Sequence, residues 1–117
     1  MSLRVTSIQK VLGLYIVSSV GSLDSNTYRI FEEEVNSILE KSPTMIVFDM
    51  ECLEYLSSSG IRIILKARKE LKENDGKVVF MKLQTQVKKV FEIINAIPSM
   101  KILSSIEELD EYLYTMQ

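Results

Sequence analysis

Ser57-Ser58-Ser59-Gly60 puts three hydroxyls in a row at the start of a helical pattern, shortly after the apolar run Thr44–Phe48 ends at Asp49. A serine in the first turn of a helix sits among N–H groups with no partner inside the helix and beside the positive end of its dipole. Such a hydroxyl is well placed to accept a phosphoryl group, because the added charge of about −1.5 to −2 arrives where the helix favours it. Capping is the commoner use of a serine there, but three serines are more than capping requires. A second strand-to-helix junction, Gly21-Ser22-Leu23-Asp24, reads as a turn followed by a cap from Asp24 or Ser25. It gains functional meaning only if the fold sets the two junctions side by side. Asp49 offers a third chemistry, that of a phosphoacceptor aspartate of the receiver type. That chemistry needs acids at the neighbouring strand end to hold magnesium, with a lysine nearby. The preceding strand ends in Gly21-Ser22, with Asp24 as the one acid close by.

Other chemistries are excluded by what the sequence lacks. It contains no histidine, so no Ser-His-Asp or Cys-His arrangement is possible within it. One cysteine, Cys52, makes neither an internal disulfide nor a thiolate zinc site, and it fits a reducing compartment. No glycine-rich phosphate loop of the Gly-x-x-x-x-Gly-Lys type occurs. We therefore expect neither an enzyme nor a resident cofactor or metal. The net charge is −2, without the basic excess of a duplex binder, so nucleic acid is not an expected partner. No apolar run reaches the ~18–20 residues of a membrane span, and no signal-peptide pattern opens the chain. A cytoplasmic protein away from membranes is expected. Met45, Met50, Met81 and Met100 read as core or rim filler, and Glu32-Glu33-Glu34 as a solvated face.

The elements that must position these residues alternate between two periodicities. Leu3–Gln9 alternates as an edge strand, and Val11–Val20 is a more buried one; Gln9-Lys10 between them implies an antiparallel hairpin. Gly21–Ser25 reads as turn chemistry. A helix over Asn26–Lys41 carries Tyr28, Phe31, Val35, Ile38 and Leu39 on one face, with early glutamates at its positive end. Thr44–Phe48 reads as a central strand buried on both faces, and Met50–Ser57 as a loop. A helix over Ser58–Asn74 turns Ile61, Ile64, Leu65 and Leu71 inward and ends at Asp75-Gly76. The strand Lys77–Leu83 follows, then a helix over Thr85–Ala96 with Val87, Val90, Phe91 and Ile94 on its face. Pro98, a short strand at Lys101–Leu103 and a last helix over Ser105–Tyr114 complete the chain. The order is an α/β fold. It has a mixed sheet of four to five strands, an antiparallel N-terminal hairpin with the remaining strands parallel, and about four helices. At 117 residues and 46% apolar, one domain over residues 1–117 is expected.

Gly21-Ser22-Leu23-Asp24 before one helix, and Phe48-Asp49 with Leu53-Glu54-Tyr55-Leu56-Ser57-Ser58-Ser59-Gly60-Ile61 before the next, resemble the two signature segments of the STAS domain family. The stretches Gly76–Phe80 and Val87–Phe91 fit as well, so the resemblance spans nearly the whole chain. The family takes its name from sulfate transporters and anti-sigma factor antagonists. For a stand-alone bacterial member the resemblance implies a protein-binding switch in signal transduction. It sequesters an anti-sigma factor that is itself a serine kinase, and so regulates sigma-dependent transcription. Serine phosphorylation inactivates it and a serine phosphatase restores it. By position the acceptor is Ser59, with Ser58 as the alternative. Asp24, Ser57, Ser58, Gly60 and Ile61 form the implied partner-binding face, a small, neutral, partly apolar patch on a monomer or weak dimer. The family segment usually reads Asp-Ser-Ser-Gly, and here Ser57 stands where the aspartate is usual. A STAS-type scaffold or ligand-sensing module without a phosphorylation switch is the second reading, and the receiver-like domain the third.

Overall fold

The computed structural model describes residues 2–93 and 101–115. The hairpin pairs β1 (Leu3–Val11) with β2 (Leu14–Leu23), antiparallel from Leu3↔Gly21 to Val11↔Leu14. Its turn falls at Leu12-Gly13, beyond the expected Gln9-Lys10, because Gly13 adopts φ 82° and the register slips between Gln9 and Val11. In β1, Leu3 is buried and Val5 and Ser7 half-buried, while Arg4, Thr6 and Ile8 face solvent, as its alternation predicts. Helix α1 (Tyr28–Leu39) buries Phe31, Val35 and Ile38. It begins at Tyr28, two residues later than expected, so no acidic residue stands in its first turn and the glutamates do not meet its positive end. The solvated reading of Glu34 also changes, since it accepts a hydrogen bond from the Ser7 hydroxyl.

β3 (Met45–Asp49) pairs parallel with β2 on one side and with β5 (Lys77–Met81) on the other. β6 (Lys101–Leu103) pairs parallel with β5. The sheet has six strands rather than four to five, in the order β1-β2-β3-β5-β6, with the extra strand on β2. That strand, β4 (Leu53–Leu56), lies in the segment expected to be a loop. It runs parallel to the last residues of β2, pairing Gly21↔Leu53, Ser22↔Tyr55 and Leu23↔Leu56. Its end residues are buried and its middle two exposed, so it shows no alternation to read. Gly21-Ser22-Leu23, expected as a turn, is strand for the same reason.

Helix α2 (Ser58–Glu73) buries Gly60, Ile61, Ile63, Ile64, Ala67 and Leu71. Leu65, expected inside, is exposed. Helix α3 (Thr85–Ile93) buries Val87 and Phe91; the expected continuation through Ile94 to Ala96, with Pro98 and Met100, lies outside the described residues. Helix α4 (Ile106–Thr115) buries Leu109. The central strands alternate between two cores. Val17, Ile46, Phe48, Val78 and Phe80 face the layer of α1, α2 and α3. Leu14, Ile16, Met45, Val47, Val79 and Met81 face α4 through Leu109. Burial on both faces explains why β3 and β5 read as unbroken apolar runs. Phe31, Phe48, Phe80 and Phe91 form a ladder with centroids 5.6, 5.9 and 4.8 Å apart, joining α1 to α3 across the sheet. Among the described residues no helix is long and apolar enough to cross a membrane.

Candidate functional site

The two strand-to-helix junctions lie side by side. β2 runs past the end of β3, and β4 takes up the pairing where β3 leaves off. Gly21 N donates to Cys52 O at 3.0 Å, and Ser57 N donates to Leu23 O at 2.8 Å. One corner is thus strapped to the other immediately before α2 begins. The seam is tight at Gly60, where an added Cβ would stand 2.5 Å from Leu23 Cδ2 and 2.7 Å from Leu56 Cδ1.

The first corner is closed by its own hydrogen bonds. Asp24 Oδ1 accepts from Asn26 N at 2.8 Å and Thr27 N at 3.1 Å. The buried Thr27 hydroxyl donates to Ser22 O at 2.8 Å and accepts from Asp24 N at 2.9 Å. Asp24 therefore holds the turn ahead of α1, and Thr27 takes the N-cap position that Asp24 or Ser25 was expected to fill.

The second corner is different. Ser57 occupies the N-cap position of α2 with an extended backbone, φ −88° and ψ 170°, yet its side chain makes no capping hydrogen bond. Its hydroxyl is buried and unpartnered among the described residues. Ser58 is exposed and Ser59 half-buried in the first turn. Gly60 and Ile61, expected on the contact face, are buried, with Ile61 6% exposed. Nor is the surface beside Ser59 neutral. Ser59 lines a cleft of about 240 Å³ between α1 and α2 with Tyr28, Glu32, Arg62, Ile63 and Lys66. Sequence reading passed over Arg62 and Lys66, although their spacing from Ser59, three and seven residues on, puts all three on one helix face.

Asp49 ends β3 with its carboxylate engaged, accepting from the Ser18 hydroxyl at 3.3 Å and from Glu51 N at 3.2 Å. Lys82 follows β5 and pairs with Glu51 at 3.1 Å, a hydrogen bond that raises the pKa of its ammonium group. Among the described residues no three His, Cys, Asp or Glu side chains gather as a metal-holding group. Cys52 is exposed.

The family model described as STAS domain matches residues 5–109, a span that includes both corners and the sheet between them. The chain belongs to the STAS domain family. A Bordetella bronchiseptica protein that carries the name of an anti-sigma factor antagonist, BtrV, is 29% identical over 101 residues, covering 86% of this chain and 87% of that one. The anti-sigma factor antagonist SpoIIAA in its unphosphorylated form superposes with a TM-score of 0.80 at 20% identity, over 93% of this chain and 96% of its own. The phosphorylated form of SpoIIAA, described as a Bacillus cell fate determinant, gives 0.75 at 19% identity, over 93% and 99%. These structural likenesses establish the shared STAS fold: the mixed sheet, its antiparallel hairpin and its four helices.

Proposed function

We propose that this STAS protein is an anti-sigma factor antagonist. It acts by binding rather than catalysis, and the surface around Ser58 and Ser59 at the start of α2 is its contact surface. The observation that carries the reading is the strap between corners, Ser57 N to Leu23 O, which joins the residue before Asp24 to the residue before Ser58. The relative named as an anti-sigma factor antagonist and the SpoIIAA-like fold support it.

In this reading the partner is an anti-sigma factor with serine kinase activity in the cytoplasm. Sequestering it releases a sigma factor for transcription. Ser59 is the acceptor. Its Oγ forms a bond to the γ-phosphorus of ATP, the bond from that phosphorus to the ADP oxygen breaks, and the hydroxyl proton passes to a base of the kinase. A phosphatase returns the hydroxyl by hydrolysis, releasing inorganic phosphate. Asp24, Ser57 and Ser58 form the surrounding contact, while Gly60 and Ile61 contribute from below by fixing the height of the first turn. Phosphate adds bulk and charge where the partner must close. Burying it without a cation from the partner costs at least about 2–4 kcal/mol by analogy with unpaired buried charges. Each ~1.4 kcal/mol is tenfold in affinity, enough to break a micromolar complex.

The test is calorimetric titration of the cognate kinase with wild type, Ser59→Asp and Ser58→Asp, with thermal melts alongside. Ser59→Asp is expected to abolish binding and leave the melting temperature nearly unchanged, since an acid in the first helical turn suits the dipole. Binding retained by a folded Ser59→Asp protein and lost in Ser58→Asp moves the acceptor to Ser58. Binding retained by both overturns the switch and leaves a constitutive scaffold.

A further inference from the structure

The cleft beside Ser59 has a composition that the switch reading does not use. Arg62 and Lys66 of α2 form one wall, and Tyr28 and Glu32 of α1 the other. Residues three apart on a helix stand with their Cβ atoms about 5–6 Å apart, and helical side chains lean back toward the N-terminus. Arg62 therefore leans toward Ser59, and Lys66 follows one turn behind. Across the cleft, the Tyr28 hydroxyl oxygen already accepts from Arg29 Nε at 3.3 Å, which leaves its O–H to donate elsewhere. Glu32 is the one acid among the lining residues.

We infer that this cleft is a phosphate receptor built into the same chain: the phosphate of phospho-Ser59 is drawn in between α1 and α2, paired by Arg62 with Lys66 behind it and capped by the Tyr28 hydroxyl. This rests on Ser59 as the acceptor and adds how the inactive state is held. Arg is the side chain whose planar fork matches phosphate oxygens. The phosphate is then partly neutralised at home, so the charge penalty on partner binding is smaller than for an unpaired dianion and the added bulk carries the rest. Glu32 limits the strength of the hold, which keeps the phosphate removable. Ser58 is not a lining residue of the cleft. Arg62 stands four residues beyond it and remains within reach, so sensitivity to Arg62 alone does not separate the two serines. Sensitivity to the α1 wall does.

Phosphoserine installed at position 59 or 58 of the full chain during translation allows a direct test, read by the ³¹P chemical shift against pH. The charged and titratable groups around the phosphate are Glu32 and Tyr28 from α1, with Arg29 behind Tyr28, Arg62 and Lys66 from α2, and Asp24 from the turn strapped to α2 through Leu23 O and Ser57 N. One unit charge about 6 Å away in a water-like medium moves a pKa by about 0.5. In phospho-Ser59 protein, Arg62→Gln should raise the second phosphate pKa by about that amount, and Glu32→Gln should lower it by a smaller step. Phospho-Ser58 should ignore Glu32→Gln. A phospho-Ser59 resonance that titrates identically in wild type and Arg62→Gln, or that ignores Glu32→Gln, overturns the receptor. Circular dichroism on each variant checks that the fold persists, and Arg62→Lys provides a charge-retaining comparison. No kinase enters this measurement. Failure here leaves partner binding by the unmodified protein standing, and failure of partner binding leaves this titration intact.

Discussion

The two corners that meet at the site solve the same geometric problem with opposite economies. Each turns the chain from a strand into a helix. The corner before α1 satisfies itself: one carboxylate oxygen of Asp24 holds two backbone amides, and the Thr27 hydroxyl spans Ser22 O and Asp24 N. The corner before α2 has a serine at the N-cap that caps nothing and whose buried hydroxyl has no partner among the described residues, followed by an exposed Ser58 and a half-buried Ser59. Buried polar groups are nearly always paired, and an exception calls for a reason. Here the reason is division of labour. The first corner is fixed by its own bonds and the second is set against it; under the proposed function, the hydroxyls of Ser58 and Ser59 are the ones left for a partner.

The strongest way to break that contrast is a pair of alanines. Gly21 has φ 112°, and a Cβ there would lie 2.2 Å from the backbone oxygen of Ser2. An alanine must adopt a conformation that L-residues resist and push the first strand aside; the expected loss is about 2–4 kcal/mol. At Gly60 the obstruction is two leucine side-chain ends that can shift, and alanine regains about 1 kcal/mol of helix preference, so the net loss should be about 0–2 kcal/mol. Urea unfolding of both variants measures the difference. Equal losses would mean that the first corner is no more rigid than the second.

Thr27→Val is the next test, because it keeps the shape and removes the hydroxyl. It removes the acceptor of Asp24 N and one donor to Ser22 O at a residue only 5% exposed, for an expected loss of about 1–3 kcal/mol. Hydrogen exchange should speed up at the start of α1 while the amides of β3 and β5 stay protected. A loss below about 0.5 kcal/mol would show that the first corner does not depend on its hydrogen bonds.

What could be read from the sequence follows how local the responsible physics is. Met45–Phe48 and Val78–Met81 are apolar at every position because both faces are covered, and that pattern survives in the letters alone. The α1 face did too, through the spacing of Phe31, Val35 and Ile38. Leu53–Leu56 did not: four residues with buried ends and exposed middle carry no period, and only the prolongation of β2 past Gly21 makes them a strand. The serine run itself was legible. Its setting was not, because the charge of the patch comes from Arg62 and Lys66 one and two turns along α2 and from Glu32 on another helix. Nor does any local rule say that Ser57, in a position where serine usually caps, turns its hydroxyl inward instead.

That inward hydroxyl supplies the finest test of the contrast. Replacing an N-cap serine by alanine ordinarily costs about 0.5–2 kcal/mol, because a helix amide loses its acceptor. Ser57 gives α2 no such bond, and its buried hydroxyl loses solvation without recompense. Ser57→Ala should therefore change stability by less than about 0.5 kcal/mol, and in the stabilising direction. Ser57→Asp, which restores the acid usual in the family segment, brings a carboxylate to the positive end of α2 and should add about 0.5–1 kcal/mol. The same charge would stand beside Ser59 and oppose an incoming phosphate, so the variant should also weaken the hold of the cleft on phospho-Ser59. A Ser57→Ala protein destabilised by a full capping energy would show that the hydroxyl does cap α2 in solution, and the two corners would then be alike.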